Sequence, residues 1–384
     1  MKRKTQKTKI VLGLGFGDEG KGVTTDFLCR QAERPLVVRF SGGHQAGHTV
    51  TLPDGRSHVF SNFGAGTLAG APTFWSRYCT FHPVGYANER LALEAMGFPP
   101  ELYVDERAPV TTPYDLLYNR HRERKQRHGS CGLGFGATVA RHEGPHKLHV
   151  LDLFDDFVLE RKLRSVASYY GDQLGAVYDK IELDAKLTDF WAAVRACRTS
   201  LHRTCGRAHF ADCATYDQLI FEGSQGLLLD QEFGYFPHVT RAYVSSRNAL
   251  EMIAAYDLPA PELYYVTRAY QTRHGNGPLT NTTLPGPELT PTPKETNVYN
   301  PWQGHQRRSL LDLDQLRFAL RADAQYSAGL PRHLVVTCLD QLRGDWRSTD
   351  GAKTRELSSV KDLAFRLAGA WKGVYENRGP VGAW

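Results

Sequence analysis

Asp18, Glu19 and Lys21 stand inside a glycine-rich stretch, Gly13 to Gly22, that reads GLGFGDEGKG. Glycines at 15, 17 and 20 let backbone N–H groups approach an anion, and Lys21 can neutralise phosphate. The stretch fits two phosphate-loop patterns at once. Gly15, Gly17 and Gly20 follow the G-x-G-x-x-G of dinucleotide sites. Gly15 to Lys21 follow G-x-x-x-x-G-K, but Gly22 stands where a Walker loop carries the Ser or Thr that holds magnesium. A dinucleotide site also needs an acid at the end of the second strand to hold a ribose, and VVRFSGGH offers Arg39 there instead. A tight strand-to-helix turn without chemistry is a third reading. The fourth is a phosphate loop with a functional acid: Asp18 would be a base beside a transferring phosphoryl group, with magnesium screening the repulsion.

A second cluster, SGGHQAGHT from Ser41 to Thr49, carries His44 and His48 four residues apart. That spacing suits a zinc-binding helix. Gly42, Gly43 and Gly47 disfavour a helix there, and the glutamate of H-E-x-x-H is absent. A glycine loop that brings a histidine to developing phosphate charge fits the composition better. A structural role for His44 stays open beside it.

These loops need a scaffold that presents them together. KIVLGLG and RPLVVRFSGG read as buried strands ending in glycine, with KGVTTDFLCRQAE between them as a helix that turns Phe27 and Leu28 inward. This β-loop-α-β start predicts an α/β fold with a P-loop-like, mostly parallel central sheet, helices on both faces, and smaller substrate-loop subdomains. Glu89 to Gly97 reads as a helix, and Lys147 to Leu174 as largely helical. YDQLIFEGSQGLLLD holds a buried strand, Leu219 to Glu222, that breaks into a glycine turn. ELYYVTRAYQTR reads as one strand, LLDLDQLRFALRAD as an amphipathic helix, and HLVVTCLD as a late strand ending in Asp340. NTTLPGPELTPTPKE should be an extended surface segment. The expectation is one domain over 1–384, mainly helical over about 85–215, with a substrate loop over about 275–310.

The 384 residues can bury a sizeable core, and no apolar stretch approaches the roughly 20 residues that span a membrane. The basic start, Met1 to Lys9, precedes too short an apolar run for a signal peptide. Seven cysteines, an odd number without a C-x-x-C pair, argue against a disulfide framework or a zinc site and suit a reducing cytoplasm. The net charge of +6 suits anionic small-molecule substrates. No nucleic-acid recognition module is visible, and the basic run Arg120 to His128 reads as a solvated helix end or loop.

Taken together, GFGDEGKG and GGHQAGHT resemble the adenylosuccinate synthetase family. FEGSQGLLLD, GYFPHVT, RAYQTRHGNGP, RRSLLDLDQLRFAL and VVTCLD follow in the family's order, so the resemblance covers Lys9 to about Asp340. It implies a purine nucleotide ligase that forms a C–N bond in two steps. A base removes the N1 proton of a 6-oxopurine monophosphate, whose O6 takes the γ-phosphoryl group of GTP or ATP. The amine of aspartate then displaces phosphate. By resemblance Asp18 is the base and a magnesium ligand, Lys21 holds phosphate, His48 steadies the β,γ-bridging oxygen and Gln225 bonds O6. Gly47 would lend a carbonyl to Mg2+. Gly15, Gly17, Glu19, Gly20, Gly22, Ser130, Thr240 and Asp340 would bind the nucleotides. Arg141 would cross the interface of a homodimer. Gln303, His305, Arg307 and Arg308 would form the amine-substrate loop. The chain departs from the family at Leu133, His305 and Gln306, where arginines are usual, at His274, where a small apolar residue is usual, and at Cys338, where a lysine is usual. Such changes resemble the phage branch that acts on dGMP, which leaves IMP and GMP or dGMP both open as the purine.

Overall fold

The computed structural model describes residues 6–174, 179–211, 215–291, 296–297 and 299–381. The first five residues, Cys213 and part of the Pro- and Thr-rich segment at 281–295 lie outside them.

Nine strands form the central sheet: β1 (Lys7–Gly13), β2 (Pro35–Arg39), β3 (Thr73–Trp75), β4 (Leu102–Asp105), β5 (His202–Thr204), β6 (Gln218–Gly226), β7 (Pro261–Arg268), β8 (Arg332–Thr337) and β9 (Gly373–Glu376). Their order is β9-β8-β7-β1-β6-β2-β3-β4-β5, and every neighbouring pair is parallel. The expected mostly parallel sheet is thus parallel throughout.

Strand side chains alternate between the two faces of the sheet, which is why the apolar runs are continuous. On one face Ile10, Leu12, Leu36, Val38, Leu219, Phe221, Leu334 and Val336 pack against Met252 and Ile253 of the helix Arg247–Ala255 and against Leu316 and Leu320 of the helix Leu313–Ser327. On the other, Val11, Val37, Ile220, Val266 and Val335 pack against Leu28 and Cys29 of α1 (Lys21–Arg30). A second core gathers Trp75, Leu102 and Val104 with α2 (Pro83–Ala95), α5 (Asp156–Leu174) and α6 (Lys180–Ser200), through Leu93, Leu159, Leu163, Phe190 and Val194. Between α2 and α5 come α3 (Pro113–Gln126) and α4 (Phe135–Glu143). The sequence fixes the start of α3 locally: Thr112 caps it, Asp115 returns the capping-box bond and Pro113 takes the first turn.

Three element boundaries differ from the sequence reading. β6 runs on through Gln225, and its register with β1 slips between Val11 and Gly13. The segment Glu262–Arg273 breaks after Arg268, and Gln271–Arg273 leaves the sheet to pair antiparallel with Arg307–Ser309. Around Lys147–Leu174, a short 3-10 turn at Val150–Phe154 precedes α5. In a parallel sheet all strands end on the same edge, so the stretches after β1, β2, β6, β7 and β8 converge there, where open α/β sheets bind ligands.

Candidate active site

At that edge lies a cavity of about 1370 Å³, roomy for more than one nucleotide-sized ligand. Asp18, Lys21, His48, Gln225, Thr240 and Asp340 line it, together with Gly17, Gly20, Gly22, Gly47, Ser130 and Gln303. Gly15, Glu19, Arg141, His305, Arg307 and Arg308 do not.

The phosphate loop folds around its own lysine and glutamate. Lys21 Nζ donates to Gly17 O at 2.6 Å and lies 3.5 Å from Glu19 Oε2, and Gly17 N–H donates to Glu19 Oε1 at 2.8 Å. Glu19 was expected among the nucleotide-binding residues. Its carboxylate points into the loop and is buried, and burial raises its pKa although Lys21 opposes the shift. A Cβ on Gly13 or Gly15 would come within 2.2 or 2.8 Å of that carboxylate, so only glycine admits it. Gly17, at φ +120°, sits where a Cβ would meet Gln225 Oε1 at 2.8 Å, so the phosphate loop and the Gln225 turn are in close contact. The departure at Gly22 has a similar cause: a Cβ there would lie 2.9 Å from the Cβ of His48, leaving no room for the Walker hydroxyl.

Asp18 is held differently. Its Oδ2 accepts from Gln306 Nε2 at 3.0 Å and lies 3.5 Å from His274 Nε2. Its backbone carbonyl accepts from Arg268 Nε.

His48 opens the strand His48–Thr51, which pairs with Ser57–Phe60. Its Nδ1 lies 2.7 Å from Glu222 Oε1, while its Nε2 is buried without a hydrogen-bond partner among the described residues. Burial pushes the His48 pKa below its usual value, and Glu222 only partly opposes this. Burial alone would raise Glu222, but His48 and Arg39 outweigh it and hold the carboxyl below the usual range. Glu222 also accepts from Ala65 N–H at 3.1 Å and lies 3.8 Å from Arg39 Nη1. Sequence reasoning missed Glu222. A glutamate that closes an apolar strand was the available signal, and the structure puts it in register with Arg39 on β2. With Nδ1–H directed at Glu222, Nε2 is the ring nitrogen without a partner among the described residues, and a polyphosphate placed beside it would raise the affinity of His48 for a proton.

His44 does not join this site. Its Nδ1 lies 2.9 Å from Asn62 Nδ2 and its ring packs on His82 at 4.8 Å. Among the described residues no cluster of three or more His, Cys, Asp or Glu is arranged to hold a metal ion. Magnesium needs less than that: it binds through one or two carboxylates or carbonyls together with substrate phosphates and water. The Asp18 carboxylate and the Gly47 carbonyl, hard oxygen donors on the cavity wall, fit that requirement.

Arg141, expected at a dimer interface, has its partners in its own chain here. It is fully buried inside its own chain, with Nε and Nη2 on Asp115 at 2.9 and 3.0 Å, Nη2 on Val110 O and Nη1 on His146 O. Burial alone would raise Asp115, but Arg141 holds it below the usual carboxylate range, and Tyr170 Oη donates to the same carboxylate. The side chain thus ties α4 to the start of α3 within one chain. On the amine-side loop, Arg307 Nη2 donates to Gly275 O and Gly277 O at 2.7 and 2.5 Å. His305 is exposed beside Tyr299, and Arg308 is exposed on its strand. The basic run on α3 is not merely solvated: Arg120 and Arg124 both lie against the Trp302 ring, and His128 stacks on His238 at the cavity wall.

Comparison with known proteins agrees with this architecture. Residues 10–345 match the family model described as adenylosuccinate synthetase. Adenylosuccinate synthetase of Mannheimia succiniciproducens is 32% identical over 383 residues, covering 96% of this chain and 85% of that protein. The Psychrobacter cryohalolentis enzyme of the same name is 32% identical over 284 residues, 71% of this chain, and the match spans only 64% of that relative's length. Among solved structures, the fully ligated adenylosuccinate synthetase of Plasmodium falciparum superposes with a TM-score of 0.70 at 18% identity, covering 87% of this chain and 77% of its own. The cyanophage S-2L succinoaminodeoxyadenylate synthetase, bound to dGMP and to dATP as an energy donor, superposes at 0.64 and 16% identity, covering 98% and 94%. By the family match across most of its length, the chain belongs to the adenylosuccinate synthetase family.

Proposed function

We propose that the protein is a ligase that forms a C–N bond on a 6-oxopurine monophosphate, driven by a nucleoside triphosphate. The observation that carries this is the convergence of Asp18, Lys21, His48 and Gln225 on one cavity at the carboxyl edge of the sheet. Asp18 takes the purine N1 proton as O6 attacks the γ-phosphorus, and the bond to the β,γ-bridging oxygen breaks to release the diphosphate. Gln225 orients O6. His48, backed by Glu222, donates to the bridging oxygen. Aspartate nitrogen then attacks C6 and expels phosphate, giving adenylosuccinate or its 2-amino counterpart. Mg2+, held by Asp18 and Gly47 with the phosphates, would neutralise the charge that develops on transfer. Asp340 would accept from N1–H and N2–H of a guanine base, which favours GTP as donor. The homodimer and the cytoplasmic setting implied by the family belong to the proposal as well, without Arg141 as the crossing residue.

One observation favours a guanine nucleotide over IMP as the acceptor. His274 lies on the cavity wall beside Asp18 with its Nδ1 buried and unpartnered among the described residues. With Nε2–H directed at the carboxylate, Nδ1 is an acceptor next to the base that reads N1, placed to receive a 2-amino group. Phosphate release with Mg2+, aspartate and a panel of IMP, GMP, dGMP and dIMP against GTP and ATP, products identified by mass, tests both points. Turnover is expected with GMP or dGMP, and His274→Val should shift the ratio of kcat/KM toward IMP about tenfold, as for one lost discriminating hydrogen bond. No purine-dependent phosphate release would remove the reading, and an unchanged ratio would remove the role of His274.

A further inference from the structure

Two positions where this chain departs from its family, His274 and Gln306, meet the same oxygen of Asp18. Gln306 is 288 residues away in sequence and does not line the cavity, so it reaches the chemistry only through the carboxylate. A carboxylate oxygen accepts and cannot donate, so the contact uses the amide Nε2–H.

The amide is delivered from fixed ground. Before it, Asn300 Oδ1 accepts from the N–H groups of Trp302 and Gln303, and Asn300 and Gly304 exchange both backbone bonds. Trp302 is packed against Gly132 beneath Arg120 and Arg124. After it, Arg307 is bonded to Gly275 O and Gly277 O and paired in register with Arg273. On the other side, Arg268 holds the backbone carbonyl of Asp18.

We propose that Gln306 is a positioning residue for Asp18. Its amide, carried by the amine-side loop, holds Oδ2 and so fixes the rotation of the carboxylate that takes the purine N1 proton. The loop that belongs to the second step thereby sets the geometry of the first. This rests on the reading of Asp18 as the base.

Gln306→Glu keeps the shape and removes the donor, and Gln306→Met keeps the volume and removes both polar atoms. In each variant the purine-phosphorylation step, followed by rapid quench without the amine, should slow about 10- to 100-fold, the range for a misplaced catalytic group. KM for the purine and the triphosphate should stay within about twofold of wild type. Calorimetric binding of the purine nucleotide and the thermal midpoint, both unchanged, would separate this from a folding defect. A rise in the amine KM with an unchanged phosphorylation rate would overturn the proposal and assign Gln306 to the amine pocket. Unaffected rates in both variants would overturn it too. A wild-type protein that phosphorylates no purine would overturn the functional reading itself and this inference with it.

Discussion

In the proposed reaction a single carboxylate and a single ring nitrogen carry most of the chemistry, and each is set by groups behind it. Asp18→Asn should abolish purine-dependent phosphate release while leaving nucleotide affinity near wild type, and a retained rate would take the base role from Asp18. Glu222→Gln should lower kcat about 10- to 100-fold by weakening support for a protonated His48, with little change in KM. Arg141→Met predicts a different kind of loss. It leaves Asp115 buried without its counter-charge, so the denaturation midpoint should report a deficit of about 3–5 kcal/mol at every protein concentration. A loss that appears only on dilution would return Arg141 to an interface. That Asp18, Lys21, His48 and Gln225 share one cavity was legible because each sits in a short glycine-bounded motif that follows, ends or opens a strand. Glu222 was not legible, because its meaning comes from register with Arg39 and from the approach of His48. The orientation of Glu19 was hidden for a related reason. Two adjacent acids look alike in sequence, and the missing Cβ atoms of Gly13 and Gly15 decide which one folds inward.

Among the elements, α3 links the core to the amine-side loop. Its Thr112–Asp115 cap anchors the first turn, Asp115 ties it to Arg141, and Arg120 and Arg124 near its end cover Trp302. Trp302→Ala should loosen the amine-side loop and raise the KM of the amine roughly fivefold, the loss of about 1 kcal/mol of cation–π contact, with the triphosphate KM unchanged. Steady-state kinetics at varied amine and varied triphosphate checks this directly. The strands were legible because four of them are apolar runs closed by glycine or acid. Their limits were not. The break after Arg268 and the extension of β6 through Gln225 depend on which neighbours are present, and those come from distant parts of the chain.

For the molecule as a whole, burial holds several histidines neutral. It lowers the pKa of His82 and His142 to about 3 and that of His209 to about 4, against about 6.5 in an unfolded chain. The unfolded state therefore binds more protons once the pH drops below about 6.5, and stability should fall from there toward pH 4. Thermal midpoints measured between pH 8 and pH 4 check the sign, and a flat profile would contradict it. The order of the sheet has a consequence for synthesis. β1 lies in the interior of the sheet, yet its partners on either side begin at Gln218 and Pro261. The first of them leaves the ribosome about 210 residues later, which at 5–20 residues per second is roughly 10–40 s. Through that interval Ile10 to Leu12 of β1 would wait with neither sheet partner yet made.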